Sequence, residues 1–173
     1  VHLCAFNNDA AYVVDQVQSN KVYNLSATVG MAEPLHSSPV GKCILAFRPP
    51  FAAVRLLKDY PLTAYTPKTI TDVDILMEQL AIIRSQGYAV DDEEIALGVR
   101  CIAAPIYDYR GEVNYSLGVS GTTNNIKPSA MDRYLTALLS ASSQISSALG
   151  YKCGRQSPEV QPPGPYGDSG RDE

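Results

Sequence analysis

The residues best suited to nucleophilic or metal chemistry in this chain are four cysteines and two histidines. Cys4, Cys43, Cys101 and Cys153 stand far apart, with no C-x-x-C pair of the kind that marks a zinc site. The first three sit in apolar runs, such as Leu3-Cys4-Ala5 and Cys43-Ile44-Leu45. That pattern reads as buried, reduced thiols in a cytoplasmic protein rather than a disulfide framework. A thiol nucleophile needs a base, and only His2 and His36 could serve, with His2 near the start of a chain that reads as truncated. The glycine-flanked serine of a nucleophile elbow is absent, as are Gly-x-Gly-x-x-Gly and Gly-Lys-Ser/Thr. The expectation is therefore no catalytic residue, no metal ligand and no cofactor.

Three other stretches carry possible binding chemistry. In Ser38-Pro39-Val40-Gly41-Lys42 a capping serine and a proline open a helix. Val40 and Gly41 would supply the first free backbone donors at its positive end, a seat for a small carboxylate. An ordinary capped helix is the plainer reading. In Tyr88-Ala89-Val90-Asp91-Asp92-Glu93-Glu94 dense carboxylates read by default as a solvated turn. Asp91, following a strand, could instead point inward and would then need hydroxyl or N–H partners. In Gly98-Val99-Arg100-Cys101-Ile102-Ala103-Ala104-Pro105 small residues leave room beside a strand. Alone this reads best as a central strand with a core cysteine; the partner strand's Gly118, Ser120 and Gly121, also small, make a cavity more credible.

The elements that must position these residues follow from punctuation and periodicity. Strands are expected over His2–Phe6 and Ala11–Val17, joined by the turn Asn7-Asn8-Asp9, and over Tyr23–Val29. Helices are expected from Pro39 to about Phe47 and from Phe51 to Lys58. A third runs from Val73 to about Gln86, capped by Asp72 and stopped by Gly87, with Val73, Leu76, Leu80 and Ile83 facing inward. Val99–Tyr107 and Val113–Val119 form a hairpin around Asp108–Gly111. An amphipathic helix from Ser129 to Leu149 closes the unit, with Met131, Tyr134, Leu135, Leu138, Leu139, Ile145 and Leu149 apolar. From Lys152 onward Pro and Gly dominate, so residues 151–173 read as a disordered natural tail or an artificial remnant. The order of elements argues an α+β domain with an antiparallel sheet and flanking helices.

Composition bounds the function classes. Hydrophobic residues make up 45% and charged residues 18% of 173, ordinary for a globular domain. A net charge of -4 and a pI near 5.1, with Lys and Arg scattered, argue against nucleic-acid binding by this chain itself. No apolar run is long enough to span a membrane, and no signal peptide shows.

Taken together and in order, six motifs resemble the C-terminal domain of IclR-type transcription regulators. They are Asp15-Gln16-Val17-Gln18, Pro34-Leu35-His36-Ser37-Ser38-Pro39-Val40-Gly41-Lys42, and Tyr65-Thr66 with Thr69. The other three are Gly87-Tyr88-Ala89-Val90-Asp91-Asp92-Glu93-Glu94, Gly98–Pro105 and Val119-Ser120-Gly121. The resemblance covers residues 1–150. It implies a GAF-like fold, a curved antiparallel sheet flanked by helices, with a small-molecule pocket between the sheet and the segment from residue 22 to 45. It also implies a winged helix-turn-helix domain ahead of this one and operator DNA bound only through that domain. A homodimer or homotetramer and a cytoplasmic location follow from the same likeness. The effector residues carried over by position are Val22, Leu25, Glu33, Pro39, Val40, Gly41, Asp91, Cys101, Gly118 and Ser120.

Three positions depart from the family pattern. Glu33 stands where an apolar side chain is usual, so it turns outward or bonds a ligand hydroxyl. Gly118 stands where a serine can donate, which loses a contact and gains space. Pro39 replaces glycine and removes one backbone donor. These departures imply an effector bulkier or more hydroxylated than a two- or three-carbon keto acid, a hydroxylated or sugar-derived organic acid. The competing readings are an oligomerisation or interaction module without a small ligand, and a Cys-dependent enzyme.

Overall fold

The computed structural model describes residues 1–18 and 28–152. Six strands, β1 (His2–Asn7), β2 (Ala10–Gln16), β3 (Ala32–Glu33), β4 (Ala89–Asp92), β5 (Val99–Tyr107) and β6 (Val113–Thr122), form one antiparallel sheet in the order β3-β2-β1-β6-β5-β4. Two hairpins build it. In the first, Asn8 and Asp9 turn the chain with φ of 48° and 61°, the left-handed pair that a two-residue hairpin loop requires. In the second, Asp108 accepts from the Arg110 and Glu112 amides, and Gly111 supplies a φ of 80°. The hairpins join where β1 pairs with β6, His2 opposite Gly118 and Cys4 opposite Ser116.

Helices cover both faces. On one side lie α1 (Pro39–Ala46), α2 (Pro50–Leu57) and α3 (Val73–Gln86). Their core is Val40, Cys43, Ile44, Leu76, Leu80 and Ile83 against Cys4, Val13, Ala89 and Ala103 of the sheet. On the other lies α4 (Pro128–Ala148), whose Met131, Leu135 and Leu138 pack on Ile102, Ala104, Ile106 and Leu117. The alternation of side chains along β5 thus feeds two cores, and its run Cys101–Ile106 is buried throughout. The result is a curled half-barrel sheet with helices on its faces, the GAF-like α+β fold the sequence implies.

Caps behave as expected at α3. Asp72 accepts from the amides of Asp74 and Ile75 at 2.8 and 3.1 Å, and Gly87 closes the helix at φ 80° with its N–H on the Ile83 carbonyl. The differences are local. β4 runs through Asp91 and Asp92, so the acidic turn begins two residues later than the sequence suggests. The two-residue strand β3 carries no sequence pattern of its own and exists because β2 offers it an edge. The strand expected over Tyr23–Val29 lies outside the described residues but for its end, where Val29 and Gly30 form a turn. The segment 153–173, with Cys153, also lies outside them. Among the described residues no helix is long and apolar enough to cross a membrane.

Candidate ligand-binding site

The buried helix α1 lies across the sheet, and its start faces strands β4, β5 and β6. Ser38 caps it, the hydroxyl accepting from the Gly41 amide at 3.0 Å, and Pro39 occupies the first turn. This corrects one expectation: the Gly41 N–H is spent on Ser38 and is not a free donor. Gly41 is required for packing instead. A Cβ there would stand 2.6 Å from the Pro34 carbonyl oxygen and 2.7 Å from the Leu35 Cα, so only glycine lets α1 lie against that turn. The first N–H of the helix not claimed by Ser38 is that of Val40, beside the buried Pro39.

Beneath this helix the sheet presents two rows of small or polar side chains. Asp91, Cys101 and Ser120 face one another across β4, β5 and β6, and the next row on that face is Ala89, Ala103, Gly118 and His2. The small residues expected to leave room are therefore contiguous on the sheet, as one floor. It differs from expectation at Gly118. The space that glycine leaves is filled by the His2 ring: a Cβ on Gly118 would stand 2.5 Å from His2 Nε2 and 2.9 Å from Val40 Cγ1. His2 is 6% exposed, and burial, with the chain-terminal amine adding to it, lowers its pKa to about 4.

The acidic stretch is not a solvated turn at its two important positions. Asp91 is fully buried; its Oδ1 accepts from the Glu94 amide at 2.6 Å, while Oδ2 has no partner among the described residues. Burial pushes its pKa up to about 6, countered in part by the Glu94 amide and the Lys42 charge. Glu94 is buried too, and Lys42, with 0% exposure, places Nζ 2.5 Å from Glu94 Oε1 and 2.9 Å from the Val90 carbonyl oxygen. Asp92 and Glu93 keep the surface role, paired with Arg100 and Lys68. Glu33 on edge strand β3 pairs with the buried Ala11 and so shares its face. Burial, then the charge of Asp91, pushes the Glu33 carboxyl up. Glu33 thus stands on the face of the sheet that α1 covers.

The loop between α2 and α3 locks this corner. Thr69 Oγ1 accepts from the Tyr65 and Thr66 amides and donates to the Glu94 carbonyl at 2.6 Å; Thr66 Oγ1 donates to the Glu93 carbonyl. His36 Nε2 bonds the Thr63 carbonyl at 3.0 Å, its ring stacked on Tyr65. Nothing here activates a thiol. Burial pushes Cys43 and Cys101 up to about 12, Cys43 donating to the Ala103 carbonyl and Cys101 bonded to Ser120. A separate cleft of about 110 Å³ at the far end of α1 is lined by Leu45, Ala53, Met77 and Leu80. Arg84 beside it is engaged with the Ala46 and Arg48 carbonyls that end α1.

The structure thus brings Glu33, Pro39, Val40, Asp91, Cys101, Gly118 and Ser120 to one face of the sheet, and leaves Gly41 behind it. Val22 and Leu25 lie outside the described residues. Sequence reasoning did not place His2, Lys42 and Glu94 beside these residues, where the fold puts them. A lysine inside the apolar run Val40-Gly41-Lys42-Cys43-Ile44-Leu45 was the available signal, because a cation on a buried helix face needs a buried anion.

Residues 1–147 match the family model described as the bacterial transcriptional regulator IclR C-terminal domain. The chain belongs to the IclR family. It is 34% identical over 148 residues to the regulator BhcR of Paracoccus denitrificans, covering 86% of this chain and 53% of that one. Among solved structures it is similar to the C-terminal domain of E. coli KdgR, with a TM-score of 0.78, 31% identity and 87% of each chain covered. It is also similar to the inducer-binding domain of a double mutant of PobR from Acinetobacter, in complex with 3-hydroxybenzoic acid. There the TM-score is 0.75, the identity 25%, and the coverage 84% of this chain and 86% of that one. The chain spans about half the length of the curated relatives it matches. These relatives are transcription regulators and not enzymes, which agrees with the buried thiols.

Proposed function

We propose that this domain senses a small hydroxylated or sugar-derived organic acid and relays its occupancy to a DNA-binding domain of the same regulator, in the cytoplasm, as a homodimer or homotetramer. The observation that carries this reading is Asp91: a fully buried carboxylate with one oxygen unpartnered among the described residues, set in a floor of small side chains beneath a helix start. A buried oxygen without a partner costs stability, and a ligand hydroxyl is the group that would satisfy it. The same carboxylate repels an acid, so the ligand's own carboxylate belongs at the other end. There the Val40 amide and the positive end of α1 favour an anion. The double-mutant PobR domain supports a hydroxylated acid as the ligand class, since it holds 3-hydroxybenzoic acid. Operator DNA is read through the DNA-binding domain, and this acidic chain contributes none of that contact.

Relay requires the ligand to bind two states of the assembly unequally, a coupling typically worth roughly 1–3 kcal/mol. The role of Asp91 is tested with Asp91→Ala in calorimetric titrations of hydroxylated acids against their deoxy counterparts. Preference for the hydroxylated acid should drop about tenfold, the worth of one charged hydrogen bond. Unchanged selectivity would show that Asp91 does not read hydroxyls.

A further inference from the structure

His2 is a polar side chain that fills space in the fold without using its polar atoms. It is 6% exposed, on a strand at the centre of the sheet, and among the described residues neither ring nitrogen has a hydrogen-bond partner. Its position is nonetheless tightly specified. Nε2 and Cε1 lie 2.5 and 2.7 Å from where a Gly118 Cβ would stand, with Val40 Cγ1 2.9 Å from the same point. The ring therefore lies over β6, one strand in from its own backbone, against the first turn of α1. An apolar side chain of that size would fill the same space, so the imidazole is unexplained by packing.

We infer that His2 is an effector-binding residue, its imidazole donating to the carboxylate of an acid whose hydroxylated end reaches Asp91. It holds only for a domain that senses an acid, the role proposed above. The geometry of the floor sets the ligand's length. From Gly118 to Asp91 is two strand spacings across and two residues along, about 12 Å on a flat sheet and less on a curled one. Hydrogen bonds of about 2.8 Å at each end leave about 6 Å. An acid of about four to six carbons spans that gap, and a two-carbon acid does not. Burial keeps the ring neutral at pH 7, with one nitrogen to donate, so His2 recognises the carboxylate without bringing a buried charge of its own.

The test uses the full 173-residue chain with three probes: D-gluconate, its uncharged counterpart D-glucitol, and glycolate. Calorimetric affinities and imidazole ¹⁵N shifts are recorded for wild type, His2→Phe and His2→Gln. Gluconate should bind best and move the His2 signals. His2→Phe, which keeps a ring without a donor, should weaken gluconate binding roughly tenfold or more. His2→Gln should recover most of the affinity. Gluconate binding that is unchanged in His2→Phe, with His2 signals unmoved in wild type, overturns the assignment and leaves the acid-sensing role standing. If His2→Phe fails to fold, the wild-type ¹⁵N titration decides alone. No binding of any acid to wild type would overturn both.

Discussion

Lys42 and Asp91 show how much of this site is held by buried charge. Lys42 is fully buried on Glu94 and the Val90 carbonyl, and removing one member of such a pair strands the other in a medium that solvates it poorly. Lys42→Met should therefore destabilise the domain by about 3–5 kcal/mol in urea unfolding, and Lys42→Met combined with Glu94→Leu by clearly less. A double variant as unstable as the sum of its singles would deny the coupling. Asp91 makes a different prediction. Its folded pKa of about 6 lies above its ordinary 3.8, so the fold prefers the protonated form. That preference is fully present below about pH 4 and is lost as the pH rises through 6. Above 6 the ionised carboxylate costs the fold on the order of 3 kcal/mol. Asp91→Asn keeps an acceptor for the Glu94 amide, so it should raise Tm at pH 7.5 and lose that advantage toward pH 4. A pH-independent difference would show that burial does not raise the Asp91 pKa.

At the scale of elements, α1 is what the motif around Ser38 exists to place. Its cap and its glycine act separately, and their substitutions separate them. Ser38→Ala removes one capping bond and should cost about 1 kcal/mol. Gly41→Ala drives a methyl into the Pro34–Leu35 backbone and should cost about 2–3 kcal/mol, with α1 displaced from the sheet and ligand binding weakened as well. Equal effects of the two in thermal unfolding would contradict the packing role. The same element shows what a sequence can and cannot reveal. Caps, stops and turns are local, so Ser38, Asp72, Gly87 and the Asn8-Asp9 turn were readable from single residues and their neighbours. Pairings across the sheet are not local. Lys42 meets Glu94 from 52 residues away, and His2 fills the space of Gly118 because β1 and β6 are neighbours, a fact of topology that neither residue carries. Serines on a helix look solvent-facing for the same reason. Ser146 of α4 is buried because it accepts the Tyr107 amide just where β5 slips register against β6.

For the whole molecule, the central feature is the position of α1 between the sheet and α3. Asp91 touches Glu94 through its amide, Glu94 holds Lys42, and the Thr66–Thr69 loop holds the Glu93–Glu94 carbonyls. A ligand hydroxyl on Asp91 would thus bear on β4, α1 and the loop before α3 together, which gives occupancy a route to the surface of the domain. The measurement that tests the account most directly is a thermal-shift screen of the 173-residue chain against keto acids, hydroxy acids, sugar acids and aromatic acids. At a hundredfold excess over Kd, a ligand that binds only the folded domain stabilises it by about 2.7 kcal/mol, several degrees for a domain of this size. Hydroxylated acids alone should raise Tm, and their uncharged counterparts should not. A flat response across all four classes, or a response that ignores the carboxylate, would contradict it.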